Sequence, residues 1–137
     1  MIGQGRLSLT VYRHFVNSND SYMCGQLLTR LGLSDLAAAL AGTGHPSAIR
    51  ESSHYVGGGY VRVAAGSDDA TCAFERVSDQ EYIARGDAAS FEALAQFSAA
   101  LSRTLSAGSV KHRFEIYDGE DVLRAYLHFD WPVREES

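Results

Sequence analysis

A chain of 137 residues can bury roughly two-thirds of its unfolded surface as one domain without staples, and its 45% hydrophobic and 21% charged residues are those of a folded globular protein. The net charge of −5 argues against a nucleic-acid partner, because phosphate binding is driven by clustered Lys and Arg; it suits a basic protein partner reached by electrostatic steering. Among the 12 Lys and Arg residues only Lys111 is a lysine, which reads as codon bias.

Taken in chain order, Leu7, Leu9 and Val11 alternate with Ser8, Thr10 and Tyr12 and predict a half-buried strand over 6–16. The start of the chain, MIGQGRLSLTVYRHF, has no apolar run between a basic head and a small-residue cleavage site. It does not read as a signal peptide, and no stretch approaches the ~18 apolar residues of a membrane span. A cytoplasmic protein with no membrane partner is the expectation.

A turn cluster over 17–21 precedes Cys24, Leu27, Leu28 and Leu31, whose spacing predicts a helix ended by Gly32. Ser34 is the expected cap of a second short helix over Asp35–Ala41, closed by Gly42. Helix, glycine turn and helix invite a helix-turn-helix reading. The second helix is mostly alanine where base-reading side chains would have to project, so an αα-hairpin on a sheet is the better account.

Residues 42–54 form the longest irregular stretch and hold two His and one Arg; loops of this length are often functional or mobile. A hairpin then sets Val61, Val63 and Ala65 on one face with Ala70, Cys72 and Phe74, across a turn at Gly66–Asp69. The Gly57–Gly59 run has no Lys-Ser/Thr after it and leads into a strand, so it marks a bend rather than a phosphate loop. A short edge strand is expected at Glu81–Ala84. Asp87 is the expected cap of the clearest helix, whose face is Phe91, Leu94, Ala95, Ser98, Leu101 and Leu105 and whose end is Gly108.

The strongest strand signal is the hairpin 110–131. Val110, His112, Phe114 and Ile116 alternate on one arm, and Leu123, Ala125, Leu127 and Phe129 on the other. With Gly119 and Glu120 as a type II′ loop, Gly119 takes the φ > 0 position, Glu115 faces Arg124 and Arg113 faces Tyr126. A type I′ loop at Asp118-Gly119 would instead oppose Arg113 and Arg124, which is unfavourable.

The expected order is β-α-α-β-β-(β)-α-β-β in one domain spanning 1–137. The expected fold is an α+β two-layer sandwich: a mainly antiparallel sheet of about five or six strands, covered by helices on one face. The other face carries Arg62, Glu75, Lys111, Arg113, Glu115, Arg124, Tyr126 and His128 and should be wet.

Chemistry-bearing residues are few. His112 falls on an apolar strand face; as a catalytic base it needs a converging carboxylate or nucleophile, whereas a neutral buried ring needs only a backbone partner. His128 and Asp130, with His14 or Asp121, fall short of a fixed metal-ligand set, and no metal or cofactor is expected. Asp118–Asp121 lacks the calcium-loop pattern and reads as a turn. Cys24 and Cys72 fall on apolar faces that silence a thiol, and no serine lies in G-x-S-x-G. Tyr12, Arg62, Arg113, Arg124, Tyr126 and His128 remain, rich in the residue types that anchor protein interfaces.

The function expected is therefore a small non-catalytic bacterial protein that binds another protein, in concrete form an immunity or inhibitor protein neutralising a cognate toxin or enzyme. The alternative is a small α+β enzyme or ligand-binding domain with His112 at the floor of a pocket between helices and sheet. Oligomeric state is not legible from these residues.

Overall fold

A computed structural model describes residues 21–50, 59–66 and 70–131. The strand expected at 6–16, and Tyr12 with it, lie outside the described residues. The chain forms β1 (Ser21–Leu28), α1 (Leu33–Leu40), a 3₁₀ turn (Ala41–Thr43), β2 (Ser47–Arg50), β3 (Tyr60–Ala65), β4 (Ala70–Ser78), β5 (Glu81–Ala88), α2 (Phe91–Ala107), β6 (Lys111–Tyr117) and β7 (Leu123–Phe129). Among the described residues all strand pairs are antiparallel and make one seven-stranded sheet in the order β2-β3-β4-β5-β1-β6-β7. The fold is α+β.

The largest correction concerns β1. The apolar spacing predicts a helix there, yet Ser21–Leu28 is a strand between β5 and β6. Two registers act on it together, Gly25 opposing Ala84 on one side and Phe114 on the other. Ser21, Met23 and Leu27 are buried on one face, while Tyr22, Cys24, Gln26 and Leu28 alternate on the other. Gly25 is the residue that permits this. A Cβ there would run into the Arg113 carbonyl and the Phe114 ring, so the ring fills the space a side chain would take. Backbone pairing on both edges outweighs a helical period carried by a few leucines.

Strand β5 is a second correction. It runs eight residues and is interior, not a short edge strand. It absorbs Asp87, so Ser90 caps α2 instead, its Oγ accepting from the Ala93 N–H at 3.1 Å. Helix α1 begins at Leu33 with Gly32 as its N-cap and no side-chain cap. Gly32 therefore starts a helix rather than ending one, no αα-hairpin forms, and Gly44, at φ 82, closes the 3₁₀ turn that follows. Part of the expected 42–54 loop is the edge strand β2.

The hairpin β3–β4 forms in the expected register, with Val61 opposite Phe74, Val63 opposite Cys72 and Ala65 opposite Ala70; all six are buried. Gly59 makes the bend before it at φ 85, where an added Cβ would collide with the Leu33 side chain. These side chains, with Met23, Leu27, Tyr82, Ala84, Phe114 and Ile116, face Leu36 and Leu40 of α1 and Leu94, Phe97, Leu101 and Leu105 of α2 in one apolar cluster. Burying it, at about 25 cal/mol per Å² of apolar surface, is what holds helices to sheet.

Hairpin β6–β7 keeps the predicted faces from Ala125 onward but not the predicted register. His112 opposes Phe129, Phe114 opposes Leu127 and Glu115 opposes Tyr126, two residues from the expected pairing. The loop is longer because Asp118 organises it. Its carboxylate accepts from the N–H groups of Glu120 (2.8 Å) and Val122 (3.1 Å), and Asp121, not Gly119, takes the left-handed backbone at φ 65. Beyond it Tyr117 opposes Leu123 while Ile116 opposes Ala125, so Arg124 is an extra, bulged residue. The bulge turns Leu123 off the core face and leaves it 48% exposed.

Candidate functional site on the outer face of the sheet

The face away from the helices is wired by side chains where β5, β1 and β6 lie side by side. Alternation places Glu81, Gln26, Arg113, Glu115 and Tyr117 on it, and hydrogen bonds join them in sequence. Gln26 Nε2 donates to Glu81 Oε2 at 2.7 Å. Gln26 Oε1 accepts from Arg113 Nε and Nη2 at 2.9 and 2.6 Å. Arg113 Nη1 donates to Glu115 Oε2 at 2.9 Å, and the Tyr117 hydroxyl donates to Glu115 Oε1 at 2.9 Å. Tyr22 stacks on Tyr117 with ring centroids 4.9 Å apart and donates its hydroxyl to Asp121 Oδ1 at 2.8 Å. Burial, and then this carboxylate, push the Tyr22 hydroxyl pKa upward.

Arg113 is the hub. Its guanidinium also lies 5.7 Å from the centre of the Trp131 ring. Three of its nitrogens thus donate while its Cζ lies over a ring face, an arrangement a lysine cannot reproduce. Asp130, at φ 53, makes the turn that brings Trp131 back toward the sheet. Beside Arg113 on β7 are Tyr126 and His128, both exposed, with rings 5.1 Å apart; His128 is the direct cross-strand neighbour of Arg113.

The expected binding residues therefore separate. Arg113, Tyr126 and His128 come together at the β6–β7 end. Arg62 is exposed on β3, opposite Ala48 and Ala73, four strands from β6; at about 4.8 Å per strand this is roughly 19 Å. Arg124 leaves the outer face altogether, a correction that follows from the bulge. Its guanidinium lies 4.8 Å from the centre of the Phe91 ring at the start of α2, and its Nη1 donates to Asp118 Oδ2 at 3.2 Å. The two loop N–H groups, then Arg124, hold the Asp118 carboxyl below its usual pKa.

Gln26, Glu81, Tyr22 and Trp131 belong to this face and are not predicted from the sequence. Three of them sit in segments whose strand character is hidden or understated. The one signal for β1 is its weak two-residue alternation around a mid-strand glycine.

His112 lies between sheet and α2, 0% exposed. Its Nδ1 is 2.8 Å from the Val110 carbonyl, which can only accept, so Nδ1 carries the proton. Nε2 then accepts from the Ser102 hydroxyl at 2.7 Å. The end of α2 sets this up: the Val110 N–H returns to the Leu105 carbonyl at 2.9 Å after Ser109 at φ 60, placing Val110 under the helical turn that bears Ser102. Burial lowers the His112 pKa and keeps the ring neutral. A hydroxyl donating to an imidazole is also the contact of a serine nucleophile with its base. Here the ring is shut inside the core and a main-chain carbonyl stands where an orienting carboxylate would be.

Cys72 is buried as expected, and burial raises its thiol pKa. Cys24 is not on a helical stripe. It faces outward on β1 between Arg85 and Glu115, half-buried, with its pKa raised by burial and then by Glu115. Of the companions expected for His128 and Asp130, His14 lies outside the described residues; Asp130 lies 4.0 Å from Lys111, and Asp121 accepts from Tyr22. Among the described residues no three His, Cys, Asp or Glu side chains are grouped to hold a metal, and no helix is long and apolar enough to cross a membrane.

No protein-family model, curated protein or solved structure matches this chain.

Proposed function

We propose that this chain is a small, single-domain, non-catalytic cytoplasmic protein, a two-layer α+β sandwich, that binds another protein through the β6–β7 end of its outer sheet face. An immunity or inhibitor protein that neutralises a basic toxin or enzyme is the concrete form. The observation that carries the reading is the fixed Arg113. Gln26, Glu115 and the Trp131 ring hold it in place beside exposed Tyr126 and His128. Side chains ordered before binding spare the partner much of the roughly 0.5–1.5 kcal/mol lost per immobilised side chain. Arginine and tyrosine are, with tryptophan, the residues enriched among interface hot spots, and the net charge of −5 speeds encounter with a cationic partner.

The test begins by isolating the partner from the source organism and measuring affinity by calorimetry. Arg113→Ala and Tyr126→Ala should each weaken binding at least about tenfold, or 1.4 kcal/mol, while Arg103→Ala, on the exposed side of α2, should leave it unchanged. Equal losses in all three, or loss in Arg103→Ala alone, would move the interface to the helices.

A second reading, an α+β enzyme or ligand-binding domain that uses the helix–sheet interior, draws on the Ser102–His112 contact. It requires the core to open, because neither nitrogen of His112 reaches solvent. Reaction of Ser102 with a phosphonofluoridate probe in the native protein would support it over the binding reading.

A further inference from the structure

Charge is spread unevenly over the outer face. Among the described residues the ion pairs are Lys111–Asp130, Arg113–Glu115 and Arg124–Asp118, all at the β6–β7 end. Toward the other end Arg50, Arg62 and Arg85 are exposed, and none of the three enters an ion pair among these residues. Register gathers them. Arg62 on β3 faces Ala73 on β4, and Ala73 faces Arg85 on β5. The two arginines therefore flank one alanine, roughly 10 Å apart at about 4.8 Å per strand. Arg50 faces Tyr60 and so lies diagonally from Arg62, about 7–8 Å away. The acids nearest in register are Glu75, two residues along β4, and Asp87, two along β5. Asp87 accepts from the Thr71 hydroxyl at 3.5 Å, and neither acid pairs with Arg62 or Arg85. In a chain of net charge −5 this patch is a local reversal of sign.

We propose that the row Arg62–Ala73–Arg85 docks an extended acidic segment of another protein, with carboxylates two residues apart. Alternation in an extended chain puts such carboxylates on one side, about 6.6–6.8 Å from each other. Two arginines based roughly 10 Å apart reach that spacing by leaning inward over the small Ala73. Each guanidinium then meets its own carboxylate in a charge-assisted, two-pronged contact. A single phosphate fits less well, because both guanidiniums would have to converge on one point. No side chain holds either of them there, whereas Gln26 and Glu115 fix Arg113. A nucleic acid would carry its phosphates past the patch into the field of a net negative chain. A short acidic segment stays within about one Debye length of the arginines, ~10 Å at 0.1 M salt, where the local sign decides. The row shares no residue with the interface proposed at the β6–β7 end, so neither reading depends on the other.

The test is an NMR titration of the isotope-labelled full chain with a short peptide that alternates glutamate and serine. At millimolar peptide and low salt, the amides around Arg62, Ala73 and Arg85 should shift. Arg62 and Arg85 are exposed, so both can be replaced without opening the core. Arg62→Gln with Arg85→Gln should weaken binding at least about tenfold, while Arg103→Gln, on the exposed side of α2, should leave it unchanged. Arg62→Glu with Arg85→Glu should transfer the preference to a peptide that alternates lysine and serine. Absence of binding by the glutamate peptide to wild type overturns the proposal, and so does an equal loss in Arg103→Gln. Tighter binding of inorganic pyrophosphate, or of a short uridine oligonucleotide, would replace the acidic segment with a phosphate ligand and also overturn it.

Discussion

The two faces of β6 solve the same problem by opposite means. On the inner face His112 sits between Phe114 and Val110, and its polarity is cancelled by one hydroxyl and one carbonyl within the core. On the outer face Arg113 and Glu115 are 26% and 32% exposed, and neighbours on β1, β5 and β6 tie them into a lateral chain. The inner face gains from excluding water, so its geometry is enforced by packing density. The outer face shares its hydrogen bonds with water, and each is worth less. What the outer network does supply is order: it fixes the direction of the one guanidinium on which the proposed interface depends.

This contrast can be broken from the inside first. Phe114→Ala should cost about 3–5 kcal/mol in a denaturant melt, because the ring is fully buried and also covers the gap left by Gly25. Ser102→Ala should cost less, about 1–3 kcal/mol. It removes little volume but strands the lone pair of His112 Nε2. His112→Leu in the same background should recover part of that loss, since no stranded acceptor remains; failure to recover would mean the hydroxyl–imidazole bond carries no stability.

The pH dependence sharpens the same point. Burial lowers the native pKa of His112 below its unfolded value near 6.5, so the unfolded chain takes up the proton first as pH falls. Stability from this group is intact above about 6.5 and is lost as pH drops below it, with a slope of at most about 1.4 kcal/mol per pH unit. Denaturant melts at pH 7.5 and 5.5 should therefore show a smaller decline for His112→Leu than for wild type. Identical declines would place the ring in contact with solvent.

The smallest effect is expected on the outer face. Arg113→Ala should change stability by less than about 1 kcal/mol, although it removes four hydrogen-bonding or stacking contacts to Gln26, Glu115 and Trp131. Native-state labelling gives an independent view of the two faces. Cys24, half-buried on the outer face, should react with a thiol reagent before Cys72, which is buried. The reverse order would invert the assignment of β1.

Where the sequence alternates strictly and both arms of a hairpin are local, it determined the structure by itself. The β3–β4 register, the apolar face of β6 and the position of α2 follow from period and turn residues, because a half-buried strand or amphipathic helix leaves only one way to hide its apolar side chains. The same alternation put His112 on the buried face, where its Nδ1 meets the Val110 carbonyl. The tertiary structure alone decided β1, whose leucines fit a helix until two neighbouring strands claim its backbone and Phe114 closes over Gly25. It also decided the caps, since Asp87 was available only if β5 ended early. The β7 register followed the same logic: Asp118 forms a longer loop with its own carboxylate than a two-residue turn permits, and the resulting bulge moves Arg124 from the outer face to Phe91. Patterns report which side chains seek burial; the partners that satisfy each backbone edge and each charge are set by residues distant in the chain.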